Sequence, residues 1–518
     1  MTRRKTLSSV VVVAAAASMA ACSSGSSGAG TGAGKPTSGG NLVMARADEA
    51  TSLLPSVPTD NSSIWIIEEI YDTLTVPAPD GKGVQPSLAS SWKQSADKLS
   101  WTFHLRKDAK FTNGRPVTSA DVKFSIEQNQ KKDAPFSFID SIITRMDVPD
   151  AHTIVFHTAK AWAPLPSDMA LYANSIVPKD YGGKSAQAFA KHPIGSGPFK
   201  FKSWTKGSSL KIVKNAGYWR KGTPRLDSVN FTVVPDSNTR STQLASGQIQ
   251  INEYPPSSSI KSLQKQPTLK VSTFPSSEVD YLGMNTKHAP LNDLNVRKAI
   301  RLAIDKDAIL KSVYNGHGTV AGSYLSPTSW AHNASIKPTP FDLKAAKAAL
   351  AKSSKPNGFT TTITIASGDQ DASSEAQLVQ SNLAKIGIKL KIKPLDPSAI
   401  VTAKHAGNYD MAFGLYTTDI VDPDEIARFA GTFTGGVHTV YTWFNNPQMN
   451  KLAASASSAS DQATRKKAYD QMQQIIDQNV PYIPLFYVPG TYSYSTKVGG
   501  FHPGATGNYF LEKVWLSK

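Results

Sequence analysis

The chain has 518 residues, 40% of them apolar, a single cysteine and a formal net charge of +17. It exceeds what one hydrophobic core organises, so it is expected to divide into domains, and one cysteine excludes an intrachain disulfide. The Lys and Arg residues are scattered singly and in pairs, without a long basic block or zinc-finger spacing; this argues against nucleic acid and for a basic surface that serves adhesion and solubility beside an anionic membrane or cell wall.

At the amino terminus, Thr2-Arg3-Arg4-Lys5 precedes an apolar, small-residue stretch from Val10 to Ala21. A basic segment, a short apolar run and small residues before a cleavage point describe an export signal over residues 1–21. The run is well short of the roughly 20 residues that cross a bilayer as a helix. No later run approaches that length, so the body is expected to be soluble. Met19-Ala20-Ala21-Cys22 resembles the lipobox of bacterial lipoproteins, with Met19 where Leu is more usual. That resemblance implies a diacylglyceryl group on the Cys22 sulfur, leaving no thiol for other chemistry. Two acyl chains anchor stably where one holds marginally, since each buried methylene contributes about 0.8 kcal/mol. Residues 22–40, rich in Ser and Gly, have nothing to bury and are expected to be a flexible tether. Arg3-Arg4 leaves the export route, Sec or twin-arginine, open.

Beyond the tether, Leu99, Trp101, Phe103 and Leu105 alternate with polar residues, the period of a strand with one buried face. Asn113-Gly114 reads as a turn, and Thr118-Ser119-Ala120-Asp121 as a capping box opening a helix through Gln128. Short strands are expected over 153–156, 210–214 and 229–234, then a polar helix near 237–246. Asp293 can cap a helix with Val296, Ile300, Ala303 and Ile304 on one face; a second short helix stops at Asn315-Gly316. The most regular region predicts a strand over 360–366, a helix over 374–385 and a strand over 388–395. A short helix over 398–405 and a strand over 410–416 complete it. This β-α-β-α-β order implies parallel strands with right-handed crossovers, hence an α/β lobe. Ligands of open α/β sheets bind beyond the carboxyl ends of strands, where 415–424 falls. A helix over 461–478 and a strand over 483–487 follow.

Seven segments then stand in a telling order: IIEEIYDTL, PSLASSWKQSADKLSWTFHLRKDAKFTNGRPVTSADVKFSIEQ, IGSGPFKFKSW, NAGYW, VVPDSNTRSTQLASGQIQI, LGMNTKHAPLNDLNVRKAIRLAID and DPDEIARF. Together they resemble solute-binding protein family 5 of ABC importers, the dipeptide/oligopeptide-binding type, from about Asn41 to the C-terminus. The resemblance implies an α/β, type 2 periplasmic-binding fold: two α/β lobes joined by a hinge, plus an inserted α+β domain. Lobe I would comprise 41–75, 191–274 and 488–518, the insertion 76–190, and lobe II 275–487, with crossings near 270 and 488. The implied role is capture of a peptide between the lobes and delivery to membrane permease subunits. The protein would be a monomer anchored to the outer face of the bacterial cell membrane, with no cofactor, metal or nucleic acid. Two departures stand out: Asn215-Ala216-Gly217-Tyr218-Trp219 replaces Asn-Pro-Asp/Glu-Tyr-Trp, and Gly414-Leu415 replaces a frequent Gly-Trp.

In peptide-binding relatives an aspartate a few residues before the Asp/Glu-Pro element pairs with the ligand's α-amino group, and Asp419 in Asp419-Ile420-Val421-Asp422-Pro423-Asp424 matches it. Asn61 aligns with a backbone-contacting position, and Tyr281, Tyr416 and Trp443 are candidate pocket walls. Each has a plain structural alternative: Asp419 as a turn cap, Asn61 as a turn residue, the aromatics as core; Asp422 reads as structural. No arginine stands out for a C-terminal carboxylate, which favours longer peptides or another ligand over strict dipeptides. A non-peptide cargo (oligosaccharide, opine-like conjugate or metal chelate) stays open, because one fold hosts many ligands. An exported serine hydrolase is the rival of another class. Ser95–Lys98 and Ser208–Lys211 fit S-x-x-K, but no S-D-N, K-T-G, G-x-S-x-G or H-E-x-x-H accompanies them.

Overall fold

The computed structural model describes residues 34–517 apart from 79, 80, 82, 368, 436 and 437. The export signal, Cys22 and the first part of the tether lie outside the described residues. Three main sheets organise the rest. The first has seven strands, in the order Leu269–Phe274, Gly490–Ser495, Ile251–Glu253, Asn41–Arg46, Ser228–Val233, Ser209–Lys214 and Phe199–Thr205. Asn41–Arg46 runs parallel to both neighbours and the outer pairs are antiparallel. A central strand is covered on both faces, which is why Leu42, Met44, Ala45 and even Arg46 are buried. Helix Asn61–Ile70, capped by Asp60 accepting from Ser63 N at 2.8 Å, buries Ile64, Ile67 and Ile70 in the same core as Leu42, Phe199 and Phe231.

The second lobe is a six-stranded sheet in the order Thr319–Val320, Tyr482–Tyr487, Val279–Met284, Met411–Tyr416, Phe359–Ala366 and Ile388–Leu395. The expected β-α-β-α-β unit is present: Phe359–Ala366 pairs in parallel with both Ile388–Leu395 and Met411–Tyr416. Its first helix, Gln370–Ala384, begins earlier than expected, because Asp369 caps it by accepting from Ala372 N at 2.9 Å. The sheet as a whole is mixed, since Val279–Met284 is antiparallel to its neighbours on both sides.

A third, four-stranded antiparallel sheet joins Ala89–Gln94, Ser100–Leu105, Thr153–Thr158 and Ile143–Asp150 around its own core of Phe103, Ile154 and Phe156. Helix Ser119–Asn129 carries the expected capping box at Thr118 and Asp121. Leu99 departs from the predicted alternation and is exposed, because it precedes the strand in a turn where Lys98 has φ +63°. The chain passes from the first sheet to the second between Phe274 and Val279 and returns between Tyr487 and Gly490. The protein is thus a two-lobed α/β fold with an additional antiparallel sheet. No helix among the described residues is long and apolar enough to cross a membrane.

Candidate functional site

A cleft of about 740 Å³ lies between the lobes, within the range of roughly 300–1,000 Å³ that holds small ligands. The second lobe contributes Ser277, residues 326–330, Thr418 and 420–423; the region of the third sheet contributes Pro77 and Gln85; the C-terminal tail contributes 502–506, Phe510 and Lys513. The region of the third sheet also touches the second lobe directly: Ala163 N donates to Ser457 O at 2.7 Å and Lys98 Nζ to Ser460 Oγ at 3.2 Å.

The loop leaving strand Met411–Tyr416 is clamped from within. Glu425 Oε2 accepts from Thr418 Oγ1 at 2.5 Å, Asp419 N at 3.1 Å and Ile420 N at 3.3 Å. Asp422 Oδ1 accepts from Asp424 N at 2.9 Å, setting up helix Asp424–Gly431. Arg465 grips both Asp422 oxygens, Nη1 at 2.7 Å and Nη2 at 2.6 Å, with both side chains buried. Asp422 is therefore a structural anchor, as the sequence suggests. A bidentate, buried pair with further hydrogen bonds orients a loop firmly, and removing one partner leaves an uncompensated charge.

Held on this loop between two cleft-lining residues, the Asp419 carboxyl makes no hydrogen bond or ion pair among the described residues. Burial pushes it above the usual carboxylate range. Its charge in turn raises Glu425 beyond the effect of burial, and it adds to the desolvation that takes Glu68, on helix Asn61–Ile70 of the first lobe, up to about 8. Tyr172 feels the same field. Asp419, Glu425 and Glu68, drawn from both lobes and partly or wholly buried, thus feel one another's charge. A positive charge placed among them would relieve that repulsion. Among the described residues no group of three or more His, Cys, Asp or Glu side chains is placed to hold a metal ion.

Residues 83–436 match the family model described as bacterial extracellular solute-binding proteins, family 5. The chain belongs to that family. It is 31% identical to the probable D,D-dipeptide-binding periplasmic protein DdpA of Escherichia coli (strain K12) over 488 residues, covering 92% of this chain and 93% of that one. Among solved structures it is similar to DppA from Helicobacter pylori in complex with the peptide STSA, with 31% identity, TM-score 0.81, and 93% and 99% of the two chains covered. It is equally similar to the binding protein AgaA of A. tumefaciens R10 in complex with agropinic acid, with 30% identity, TM-score 0.81, and 92% and 99% covered. Family 5 members are transport binding proteins, not enzymes.

In this family 5 protein the five residues singled out in sequence do not assemble into one site. Asn61 is the first residue of a helix rather than a loop residue; it lines a small pocket of about 20 Å³ beside Trp65, Tyr254 and Thr417, at the crossing between lobes. Tyr281 and Tyr416, expected as pocket walls, are 2% and 4% exposed and belong to the core of the second lobe. Their rings pack at 5.5 Å, and Tyr416 Oη donates to Tyr324 O at 2.8 Å. The physical reason is strand alternation: the inward face of Met411–Tyr416 carries Gly414 and Tyr416, and a Cβ on Gly414 would lie 2.5 Å from the Tyr281 ring. The opposite face presents Leu415, 60% exposed. Trp443 also does not line the cleft. It packs at a tilt against His438 at 4.5 Å, lies under Lys287 Nζ at 4.1 Å and donates Nε1–H to Lys404 O at 3.3 Å, bracing the corner at Gly407.

Sequence reasoning missed Trp330, His502 and Lys513, which line the cleft, and Glu68, which faces Asp419 electrostatically. The tail residues reach the cleft only through the tertiary fold. Glu68-Glu69, two acids in an otherwise apolar helix, was the signal available.

Proposed function

We propose that this protein is the extracytoplasmic receptor of an ABC importer, tied to the membrane through a diacylglyceryl group on Cys22, and that its cargo is peptide. The clamp comprises 41–75, 191–274 and 488–518 as one lobe and 275–487 as the other, with 76–190 inserted. The cargo's free amino group sits at Asp419, and His502, on the tail that lines the cleft, is available to its carboxylate. The observation that carries this reading is the Asp419 carboxyl, which has no hydrogen bond or ion pair among the described residues, on the loop between cleft-lining Thr418 and Ile420, with its charge felt by Glu68 of the other lobe. A relative bound to agropinic acid means that fold alone does not select peptide; the uncompensated carboxyls favour an ammonium. Ligand contacts to both lobes stabilise the shut form, since a ligand shifts an open–shut equilibrium only through differential affinity. The shut form then docks on permease subunits.

Native mass spectrometry of the protein as purified tests this directly. Retained masses that match short peptides with free amino termini are expected; an anionic or sugar adduct in their place overturns the peptide reading.

A further inference from the structure

Beside the main cleft lies a second chamber of about 60 Å³, and the two are adjacent, with Pro77, Gln85, Phe510 and Lys513 lining both. Four carboxyls line it: Glu68, Glu69, Asp72 and Glu512. Two of them are answered. Asp72 accepts from Tyr218 Oη and Trp219 Nε1, both at 3.1 Å, and Glu512 pairs with Arg220 Nη1 at 3.2 Å. The others are not. Glu69, 1% exposed, gives one oxygen to Leu511 N at 2.9 Å while its Oε2 is buried without a partner. Glu68 Oε2 is likewise buried and unpartnered, although Asn508 hydrogen-bonds its carboxyl. Ser87, also 1% exposed, has an unpartnered Oγ on the same chamber.

Three side chains that line one chamber and each carry a polar atom able to accept but left without a partner are unusual, since the large majority of buried polar atoms find partners. Both cations on the wall are already engaged: Arg220 with Glu512, and Lys513 over the Phe510 ring at 4.7 Å. An ammonium carries three N–H donors on a compact head, which matches the three acceptors, and its charge compensates Glu68 and Glu69. Burial raises all four carboxyls, Glu68 to about 8 and Asp72 to about 6, so the free chamber is held partly protonated until a cation displaces those protons. The chamber lies within electrostatic reach of Asp419, because the charge of Asp419 raises Glu68.

We propose that this chamber is a specificity subsite for an ammonium-tipped side chain, of the lysine type, on one of the first residues of the cargo. The assignment rests on the reading of the cleft as a peptide site with the amino terminus at Asp419.

The test is titration calorimetry of the full chain with Ala-Ala-Ala, Lys-Ala-Ala and Ala-Lys-Ala, and with the norleucine counterparts of the lysine peptides. One lysine peptide is expected to bind about ten-fold or more tighter than its norleucine counterpart, the scale of one charge-assisted hydrogen-bonded contact. Glu68→Gln, whose melting curve reports that it folds, should bring that ratio to within about two-fold, and Ser87→Ala should reduce it in part. Asp419→Asn should weaken lysine and norleucine peptides alike and leave the ratio standing. Lysine binding to wild type should also release more protons than norleucine binding, read from heats in two buffers of different ionisation enthalpy. Equal affinity for lysine and norleucine peptides, or a ratio that survives Glu68→Gln, overturns the subsite while leaving the peptide reading intact. Absence of binding by every tripeptide overturns both. Spermidine titrated alone separates a peptide side chain from a free polyamine. No measurable heat is expected, and spermidine binding tighter than every tripeptide overturns the assignment.

Discussion

Replacing Asp419 by asparagine keeps the shape of the side chain and deletes its charge, and the structure predicts opposite effects on ligand affinity and on the stability of the empty protein. With cargo bound, the ammonium loses a charge-assisted partner worth about 1.5–3 kcal/mol, or roughly ten- to 150-fold in affinity. Without cargo, the carboxyl has no partner to lose. Its removal relieves the repulsion that raises Glu68 and Glu425, and each pKa unit relieved corresponds to about 1.4 kcal/mol. Per-residue unfolding entropies scaled to a chain of this size give roughly 1 °C in melting temperature per kcal/mol, so a melting temperature equal to or slightly above that of the wild type is expected. The assay pairs calorimetry on a free-amine tripeptide and its N-acetylated form with a thermal melt of the empty protein. The free-amine peptide should lose affinity while the acetylated one, weak already, changes little. Equal losses for both peptides, or a lower melting temperature, would refute the ammonium role and leave Asp419 as a turn cap.

Other outcomes follow from the same groups. Because ammonium binding favours ionised carboxyls that the empty protein holds partly protonated, binding releases protons. Affinity should therefore climb from pH 5.5 towards 8, by as much as about ten-fold per unit for each proton displaced, before the cargo's own amine begins to lose its charge near pH 8; a flat profile contradicts this. The empty protein should move the other way. Glu68 has a folded pKa of about 8 against an ordinary 4.5, so the folded state holds the extra proton and stability is lost as pH rises through that window, as urea unfolding at several pH values can read. Arg465→Ala strands the buried Asp422 charge and should cost about 3–5 kcal/mol in urea unfolding, whereas the apolar pair Arg465→Met with Asp422→Leu should recover most of it. Cys22→Ser should move the protein from the membrane fraction to the soluble one and abolish labelling by radioactive palmitate.

Much of the architecture was legible because it is written in local patterns. The parallel unit from Phe359 to Tyr416 announces itself through strands separated by helices and a glycine at 387, which sits in the left-handed region where a side chain is disfavoured. The caps at Thr118 and Asp293 are likewise sequence-local. The antiparallel placement of Val279–Met284 has no such local signal, because it depends on which strands meet after the chain has crossed between lobes twice.

The site divides along the same line. Asp419 and Asp422 could be located from a short motif, since the loop that holds them is built from contacts within a few residues: Glu425 to Thr418, and Asp422 to Asp424. Aromatic residue type said nothing about direction: Tyr281 and Tyr416 turned inward because strand alternation and Gly414 leave room there, and Trp443 packs instead at the corner of Gly407. The sequence alone determined the family order of motifs, the elements and the acid-bearing loop. Only the tertiary structure decided that Lys513 and the 502–506 tail meet Asp419's loop around one cavity, with Glu68 of the adjoining chamber within reach of the Asp419 charge. Desolvation and repulsion between charges hundreds of residues apart in sequence act through space, and no local pattern encodes that distance.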